Sequence, residues 1–301
     1  MNAVEISEVS KTYGDHRAVD RLNLSVPEGS IYGFIGPNGS GKTTTIRMIL
    51  HIIHPDEGSI EVMGKAGTRA ANDQIGYLPE ERGLYKKMTV NRLLLYYAKL
   101  KQMSGSDSRD QVDLWLDRMG LEDWKHKKIE TLSKGMAQKI QFIATVISRP
   151  RLVILDEPFS GLDPVNLEVI RQSILALKEQ GTTVIFSTHD MEMAERMCDS
   201  IFMIYQGKKV LDGTLREIQE QYGEDTIRMS IVGDSAELHR IPDVTGVRDF
   251  GQYQEVQFRG DAKALLSQLV TRVDLRSFAV TQPSLHDIFV RIAAPKEGSH
   301  E

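Results

Sequence analysis

The first 220 residues contain short apolar runs separated by stretches of helical periodicity. IYGFI (31–35) is an apolar run that ends before a glycine, and RLVILDEP (151–158) and TTVIFSTHD (182–190) are apolar until their polar last residues. Such runs are typical of strands that are buried on both faces of a sheet. Their alternation with helical patterns predicts a mainly parallel sheet covered by helices, an α/β fold.

Helical periodicity appears directly after the first of these strands. Ile46, Ile49, Leu50 and Ile53 recur at i, i+3, i+4 and i+7, which predicts one face of a helix. We expect Pro55 to end this helix, because proline lacks the backbone N–H that a helix requires.

Residues 85–148 predict a helical subdomain. TVNRLLLYYAKLKQM has amphipathic spacing, SGSDS is a polar break, and RDQVDLWLDRMGL predicts a second helix that ends at Gly120.

From about residue 222 the pattern changes to short strands and two helices. DTIRMSIV, VTGVRDF, EVQFRG and LRSFAVTQ read as strands, and DAKALLSQLVTRV and SLHDIFVRIA read as helices. This order predicts a small α+β domain of ferredoxin-like type. The predicted organisation is therefore a domain at 1–221, with its helical subdomain at about 85–148, a second domain at 222–294 and a flexible tail at 295–301.

Composition excludes several classes of protein. Hydrophobic residues at 41% and charged residues at 26% fit a soluble globular chain, and the net charge of −5 argues against a nucleic-acid partner. The N-terminus lacks the pattern of a signal peptide, and no apolar run approaches the roughly 20 residues of a membrane helix. The single cysteine, Cys198, fits a reducing compartment. We therefore expect a cytoplasmic protein that reaches a membrane only through a partner.

GPNGSGKT (36–43) fits the phosphate-loop pattern G-x-x-x-x-G-K-[ST] between a predicted strand and a predicted helix. Lys42 is expected to neutralise the β- and γ-phosphates of a nucleotide, and the Thr43 hydroxyl to ligate Mg²⁺. A glycine-rich turn with a surface lysine is the competing interpretation, which the flanking strand and helix disfavour. The residues expected at the nucleotide are Gly36, Pro37, Asn38, Gly39, Ser40, Gly41, Lys42, Thr43 and Thr44.

LVILDEP places two acids at the carboxyl end of a predicted strand, beside the phosphate loop. Asp156 is expected to hold Mg²⁺. Glu157 points elsewhere in an extended chain, so it is expected to orient the attacking water and to accept its proton. Acids after a strand are a weak signal alone, and the phosphate loop strengthens it.

LSKGMAQK (132–139) is by itself a helix start capped by Ser133. In order with the phosphate loop, LVILDEP, the turn SGLD (160–163) and STHD (187–190), it resembles the signature of the nucleotide-binding subunits of ABC (ATP-binding cassette) transporters. The resemblance covers about residues 1–220 and implies a P-loop ATPase that uses ATP and Mg²⁺. One departure is Lys134, where the family usually has a glycine.

The resemblance also implies how two such subunits act together. They pair head to tail, and each ATP lies between one phosphate loop and the Ser133 and Gly135 of the other copy. By the same resemblance, Tyr13 stacks on adenine, His189 contacts the γ-phosphate and holds the attacking water, and Asp163 lets one site sense the other.

Glu80 occupies the position of the family's glutamine. It offers a charged oxygen to Mg²⁺, a ligand that this hard cation favours. The segment after it, ERGLYKKMTVNRLL, resembles the surface that receives the membrane subunit.

The region after residue 222, with PSLHDIF (283–289), resembles the extension of exporter-class cassettes of the NatA and daunorubicin-resistance types. The implied function is an ATPase that powers an exporter from the inner face of the cell membrane. Its implied partners are an integral membrane permease and a second ATPase subunit.

Two alternatives remain. A soluble ABC-type switch acting on ribosomes or nucleic acid usually has two cassettes or long insertions. A P-loop kinase or GTPase would not need LSKGMAQK. The transported substrate, the choice between homodimer and heterodimer, and the role of the C-terminal domain are not encoded in these motifs.

Overall fold

The computed structural model describes residues 1–66, 74–81, 83–222, 226–232, 235–258 and 260–293, so the predicted tail at 295–301 lies outside the described residues. The chain forms two compact units, Met1–Thr214 and Leu215–Glu301. Within the described part, none of the helices combines the length and the apolar character needed to traverse a bilayer.

The described part of the first unit contains ten strands and six α-helices. The strands are β1 (Asn2–Tyr13), β2 (His16–Pro27), β3 (Ile31–Ile35), β4 (Glu57–Val62), β5 (Lys65–Ala66), β6 (Ile75–Leu78), β7 (Leu152–Asp156), β8 (Thr183–Thr188), β9 (Ser200–Tyr205) and β10 (Lys208–Gly213). The helices are α1 (Lys42–Ile49), α2 (Val90–Leu100), α3 (Gly105–Met119), α4 (Lys134–Val146), α5 (Pro164–Glu179) and α6 (Met191–Met197).

The main sheet has the strand order β10-β9-β3-β8-β7-β6 and is parallel except at the β10–β9 pair. Every residue of β3, β7 and β8 is buried, as their continuous apolar runs predict. Successive residues of β7 face opposite sides: Val153 and Leu155 join the core formed with α2–α5, and Leu152 and Ile154 join the core formed with α1. The predicted parallel sheet is confirmed.

A second, antiparallel sheet of order β2-β1-β4-β5 packs on the α1 side, and the sequence patterns above did not predict it. β1 and β2 alternate buried and exposed residues with interruptions, because register shifts break their ladder between Ile6 and Thr12. Such irregular alternation is a weaker pattern than the continuous apolar run of a doubly buried strand.

Two predicted helix limits are wrong. Helix α1 ends at Ile49, so Ile53 is not part of it, because His51 takes a left-handed conformation (φ 53°) well before Pro55. Helix α3 begins at Gly105, within the SGSDS stretch that was expected to be a break. There the Ser104 hydroxyl accepts the Asp107 N–H at 3.3 Å, so the polar residues form a capped first turn. Gly120 ends this helix in a left-handed conformation, as expected.

The second unit contains α7 (Leu215–Tyr222), β11 (Thr226–Val232), β12 (Val244–Asp249), β13 (Gln254–Phe258), α8 (Ala262–Val270), β14 (Asp274–Thr281) and α9 (Leu285–Ala293). Its antiparallel sheet has the order β12-β13-β11-β14, with a short 3₁₀ segment, Ser235–Arg240, in the first crossover. This alternation matches the predicted ferredoxin-like arrangement. Leu265 and Leu269 of α8 share one buried core with Ile227 and Met229 of β11.

We predict that Gly58→Ala destabilises the first unit far more than Gly64→Ala. Both glycines lie in the antiparallel sheet region with positive φ (83° and 70°), so both substitutions strain the backbone by about 1 kcal/mol. Only at Gly58 would the added Cβ lie 2.4 Å from the Ser7 carbonyl oxygen, which raises the expected loss to about 2–4 kcal/mol.

Urea unfolding followed by tryptophan fluorescence measures this difference, because both tryptophans, Trp115 and Trp124, lie in the first unit. Equal losses of unfolding free energy for the two variants would show that the close approach of Gly58 to the Ser7 carbonyl does not constrain β4 at this position.

Candidate functional site

The loop between β3 and α1 depends on glycine at two positions. Gly36 has φ 155°, and a Cβ there would lie 2.3 Å from the Ile204 carbonyl oxygen. Gly41 has φ 112°, and its Cβ would lie 2.6 Å from the Ala18 carbonyl oxygen. No other residue fits these positions without moving backbone, so the loop has a fixed, tight course.

Lys42 is the first residue of α1, and its side chain turns back into the loop. Its Nζ donates to the Gly36 carbonyl at 2.6 Å and to the Pro37 carbonyl at 3.1 Å. The residue is only 6% exposed. Burial lowers the pKa of the ammonium below its usual value, and the negative charges of Glu157, Asp156 and Glu80 partly oppose that shift.

The start of α1 is arranged to receive an anion. Its N-cap residue, Gly41, provides no side-chain hydrogen bond to the first-turn N–H groups. The Ser40 hydroxyl oxygen is buried and has no hydrogen-bond partner in the described part of the chain. Unpaired N–H groups and the positive end of the helix dipole together favour a phosphate at this point.

Asp156 and Ser187 join the ends of two neighbouring strands. The Ser187 hydroxyl donates to Asp156 Oδ1, and the Thr43 hydroxyl donates to Asp156 Oδ2 at 3.3 Å. Asp156 is 2% exposed and Ser187 is fully buried. Asp156 is thereby fixed between the phosphate loop and β8.

Glu157, the next residue, has a left-handed backbone conformation (φ 50°), which is costly for a residue with a Cβ. Ser187 stabilises this conformation, because its carbonyl oxygen and its hydroxyl accept the Glu157 N–H at 3.2 and 3.1 Å. The Glu157 carboxylate lies 2.9 Å from His189 Nδ1. The His189 side chain is 61% exposed, so its ring remains open to a ligand.

These residues surround a cavity of about 470 Å³ beside the phosphate loop. Its lining consists of Tyr13, His16, Ala18, Asn38, Gly39, Ser40, Gly41, Lys42, Thr43, Thr44, Glu80, Asp156 and Glu157. The structure therefore brings together most of the residues that the sequence assigned to the nucleotide, the metal and the general base. Gly36 and Pro37 are not in this lining, and their carbonyl oxygens bind Lys42 instead.

Tyr13 stands at the rim of the cavity, at the end of β1. Its ring is about half exposed, and the ammonium of Lys11 lies 5.7 Å from the ring centroid. His16 pairs with it across the β1–β2 hairpin and lines the same cavity. An open aromatic face at this rim has the geometry required to stack on a planar base.

The oxygen donors around Thr43 fit Mg²⁺. The Thr43 hydroxyl and Asp156 are adjacent, and Glu80 lines the same cavity. Among the described residues there is no cluster of three or more histidine, cysteine or acidic side chains of the kind that holds a metal alone. Magnesium typically uses one or two carboxylates together with substrate phosphates and water, and Asp156 and Glu80 are carboxylates in this cavity.

His189 is also outside this lining, although its Nδ1 contacts the Glu157 carboxylate, and Ser133, Gly135 and Asp163 lie outside it as well. Ser133 is exposed and caps α4, with its hydroxyl accepting the Met136 N–H at 3.3 Å. Asp163 is exposed and caps α5 by accepting the Asn166 N–H at 3.0 Å. The hydrogen bonds from Asn166 lower the pKa of the Asp163 carboxyl, so it is ionised. A Cβ on Gly135 would lie 3.1 Å from the Asn166 side-chain nitrogen, so the starts of α4 and α5 lie close together.

Two further residues of the site, Ser187 and His16, were not predicted from the sequence. Ser187 stands in STHD, two residues before His189, and the alternation of a strand places both side chains on the same face. This spacing could have indicated that Ser187 also reaches the acids at the end of β7. His16 follows Tyr13 by three residues, which suits a tight hairpin that brings both residues to the same cavity.

Comparison with protein families gives two matches. Residues 19–160 match the family described as ABC transporter, and residues 213–293 match the family described as ATP-binding protein DrrA1-3-like, C-terminal domain. The first match lies within the first compact unit, and the second match lies almost entirely within the second unit.

Individual proteins and structures show the same similarity. The chain is 40% identical to the ABC transporter ATP-binding protein YhaQ of Bacillus subtilis over 95% of this chain and 96% of that protein. It is 33% identical to the Nod factor export ATP-binding protein I of Sinorhizobium fredii, over 96% of this chain and 85% of that protein. A solved structure of an ATP-binding subunit of an ABC transporter superposes with a TM-score of 0.69 and 30% identity over 73% of this chain and 93% of that chain.

We predict that Ser187→Ala lowers the rate of ATP hydrolysis by about ten- to a hundredfold, because Asp156 and Glu157 both lose the group that positions them. The KM for ATP is expected to change little, since the phosphate loop is untouched. Steady-state phosphate release measures both constants.

The matched control is Ser173→Ala, which removes another buried hydroxyl, one that donates to the Val169 carbonyl within α5 at 2.8 Å. An equal loss of rate in both variants would mean that Ser187 contributes to stability only.

Proposed function

We propose a transport mechanism from one premise: this chain belongs to the ATP-binding subunits of ABC transporters, and it therefore binds and hydrolyses ATP. The mechanism concerns what the described residues do with that nucleotide, with a metal and with partner subunits. In this proposal, residues 1–221 form the ATP-binding domain, with a helical subdomain at about 85–148, and residues 222–294 form the C-terminal domain.

In the proposed mechanism the phosphates of ATP lie on the loop at residues 36–44, and adenine stacks on Tyr13. The Lys42 ammonium, already turned into the loop, meets the β- and γ-phosphates, and the uncapped N–H groups of α1 bind the remaining phosphate oxygens. Thr43, Asp156 and Glu80 hold Mg²⁺, which supplies positive charge to the phosphate oxygens when it is bound.

Glu157 is the proposed general base. Its carboxylate lines the cavity and is held by His189 Nδ1 at 2.9 Å, so it can orient a water molecule toward the γ-phosphate and accept its proton. His189 positions this carboxylate, and the rest of its exposed ring can contact the γ-phosphate or the water. Ser187 positions Asp156 and Glu157 through hydrogen bonds and contacts neither the water nor the nucleotide.

One observation supports a site shared between two copies. Ser133 and Gly135 begin α4 at an exposed surface, outside the cavity of their own chain. Accessible N–H groups at a helix start favour phosphate binding. The nucleotide cavity of the same chain does not include this helix start. We propose that it closes on the nucleotide of a second copy, with Asp163 beside it, so that ATP joins the two subunits and hydrolysis releases them.

The partner in transport is proposed to be an integral membrane permease, with this chain peripheral on the inner face of the cell membrane. Export is the proposed direction. It is supported by the relative that is named a Nod factor export protein and by the DrrA-like family match of the second unit. These similarities favour a transport ATPase over the soluble switch on ribosomes or nucleic acid.

We predict that Glu157→Gln binds ATP with magnesium and forms a long-lived dimer. The amide retains the shape of the side chain and cannot accept the proton, so the closed state persists. Sedimentation velocity with and without ATP measures the dimer, and phosphate release measures turnover.

Lys42→Ala is the control, since it should lose ATP affinity and stay monomeric. Normal turnover by Glu157→Gln would remove Glu157 from its role as the base, and unchanged ATP binding by Lys42→Ala would refute the phosphate-loop assignment.

We predict that the tagged chain co-purifies with a polytopic membrane protein in near-equal amounts after gentle detergent extraction of its native membranes. Mass spectrometry of the purified material identifies the partner, and with it the subunit that selects the substrate. Recovery only from the soluble fraction, with ribosomes or DNA attached, would contradict the transport role.

A further inference from the structure

The cavity beside the phosphate loop has an excess of negative charge. Among the described residues that line it there are three carboxylates, Glu80, Asp156 and Glu157, and one ammonium, Lys42. These four groups together carry a net charge of −2. The nucleotide phosphates that this cavity must receive are also negative, so most of the attraction has to come from backbone N–H groups, the helix dipole and a metal.

The three acids are held differently. Asp156 and Glu157 are buried and fixed through Ser187 and His189. Glu80 follows β6, is exposed, and in the described part of the chain has no side-chain hydrogen bond or ion pair. Glu80 nevertheless lines the same cavity as Lys42, Asp156 and Glu157, so its charge faces the nucleotide site.

A carboxylate in this position acts oppositely on two forms of the nucleotide. Metal-free ATP brings two more negative charges than its magnesium complex, and Glu80 repels them. Magnesium-bound ATP presents a cation to which Glu80 is attracted. A neutral amide of the same shape would remove the repulsion and keep an oxygen for the metal.

We propose that Glu80 makes this site selective for metal-bound nucleotide by repelling metal-free ATP and ADP. This selectivity rests on the proposed function, because it requires that ATP binds in this cavity. The attraction of Glu80 for magnesium-bound nucleotide also requires the proposed magnesium site. One consequence concerns product release: when magnesium leaves, Glu80 repels the ADP that remains, so loss of the metal speeds loss of ADP.

The test compares binding of an ATP analogue, in which NH replaces the β,γ-bridging oxygen, to the full chain in magnesium buffer and in EDTA. Isothermal titration gives both dissociation constants. For Glu80→Gln we expect metal-free affinity to rise about five- to tenfold, with the gain shrinking at high salt because Glu80 is exposed. Affinity for the magnesium form should change by less than about threefold.

Two variants serve as controls. Glu80→Asp keeps the charge and should keep most of the selectivity. Glu81→Gln removes the neighbouring exposed charge, which does not line the cavity, and should leave both dissociation constants unchanged. In stopped-flow displacement, EDTA should accelerate ADP release from the wild type more than from Glu80→Gln.

Unchanged or weaker metal-free binding by Glu80→Gln would overturn the proposal. If that variant instead loses affinity only in magnesium buffer, Glu80 is a metal ligand that does not repel metal-free nucleotide, so the proposal fails and the proposed magnesium site survives. If magnesium does not affect analogue binding by the wild type, both the selectivity and the magnesium site fail.

Discussion

A lysine charge held inside the protein is the constraint on which the site depends. Lys42 is 6% exposed, and its ammonium donates hydrogen bonds to two backbone carbonyls rather than to a carboxylate. Burying a charge with incomplete compensation costs free energy, and the lowered pKa of Lys42 reflects this cost. The tight course set by Gly36 and Gly41 keeps the ammonium in place. A bound phosphate supplies the negative charge that the Lys42 ammonium lacks. The loop therefore has its binding conformation before the ligand arrives.

The elements that carry this site could be predicted from the sequence because they are the most buried. β3, β7 and β8 are enclosed on both faces, and a doubly buried strand leaves a continuous apolar run. The polar residues that follow such runs come to the same sheet edge in any parallel arrangement. The chemistry of residues 38–44, 156 and 157 could therefore be placed in one cavity from the sequence alone. The succession of short strands in the second unit was predictable for a different reason, because turns clearly separate the strand-like runs there.

Other features depended on interactions that a linear pattern does not contain. The antiparallel sheet was missed because its register shifts disturb the alternation in β1. The start of α3 was missed because the same polar residues suit a loop and a capped first turn, and only the bond from the Asp107 N–H to Ser104 separates them. Ser187 was overlooked because a buried serine in a strand has no signal of its own. Its importance comes from Asp156 and Glu157, which are 31 and 30 residues away in the chain.

The two helix starts outside the cavity differ in a way that fits different partners. Ser133 and Asp163 both cap a helix by accepting backbone N–H groups. A capping serine accepts through its oxygen and still has a hydroxyl hydrogen to donate, whereas an ionised aspartate can only accept. Aspartate would cap α4 as well as serine does, but it would present a negative charge to any phosphate that approaches. Serine at residue 133 therefore caps α4 and keeps a hydroxyl hydrogen available for an anion, whereas Asp163, whose pKa is lowered, can only accept hydrogen bonds. In the proposed site between two copies, this difference would let the two adjacent caps bind different groups.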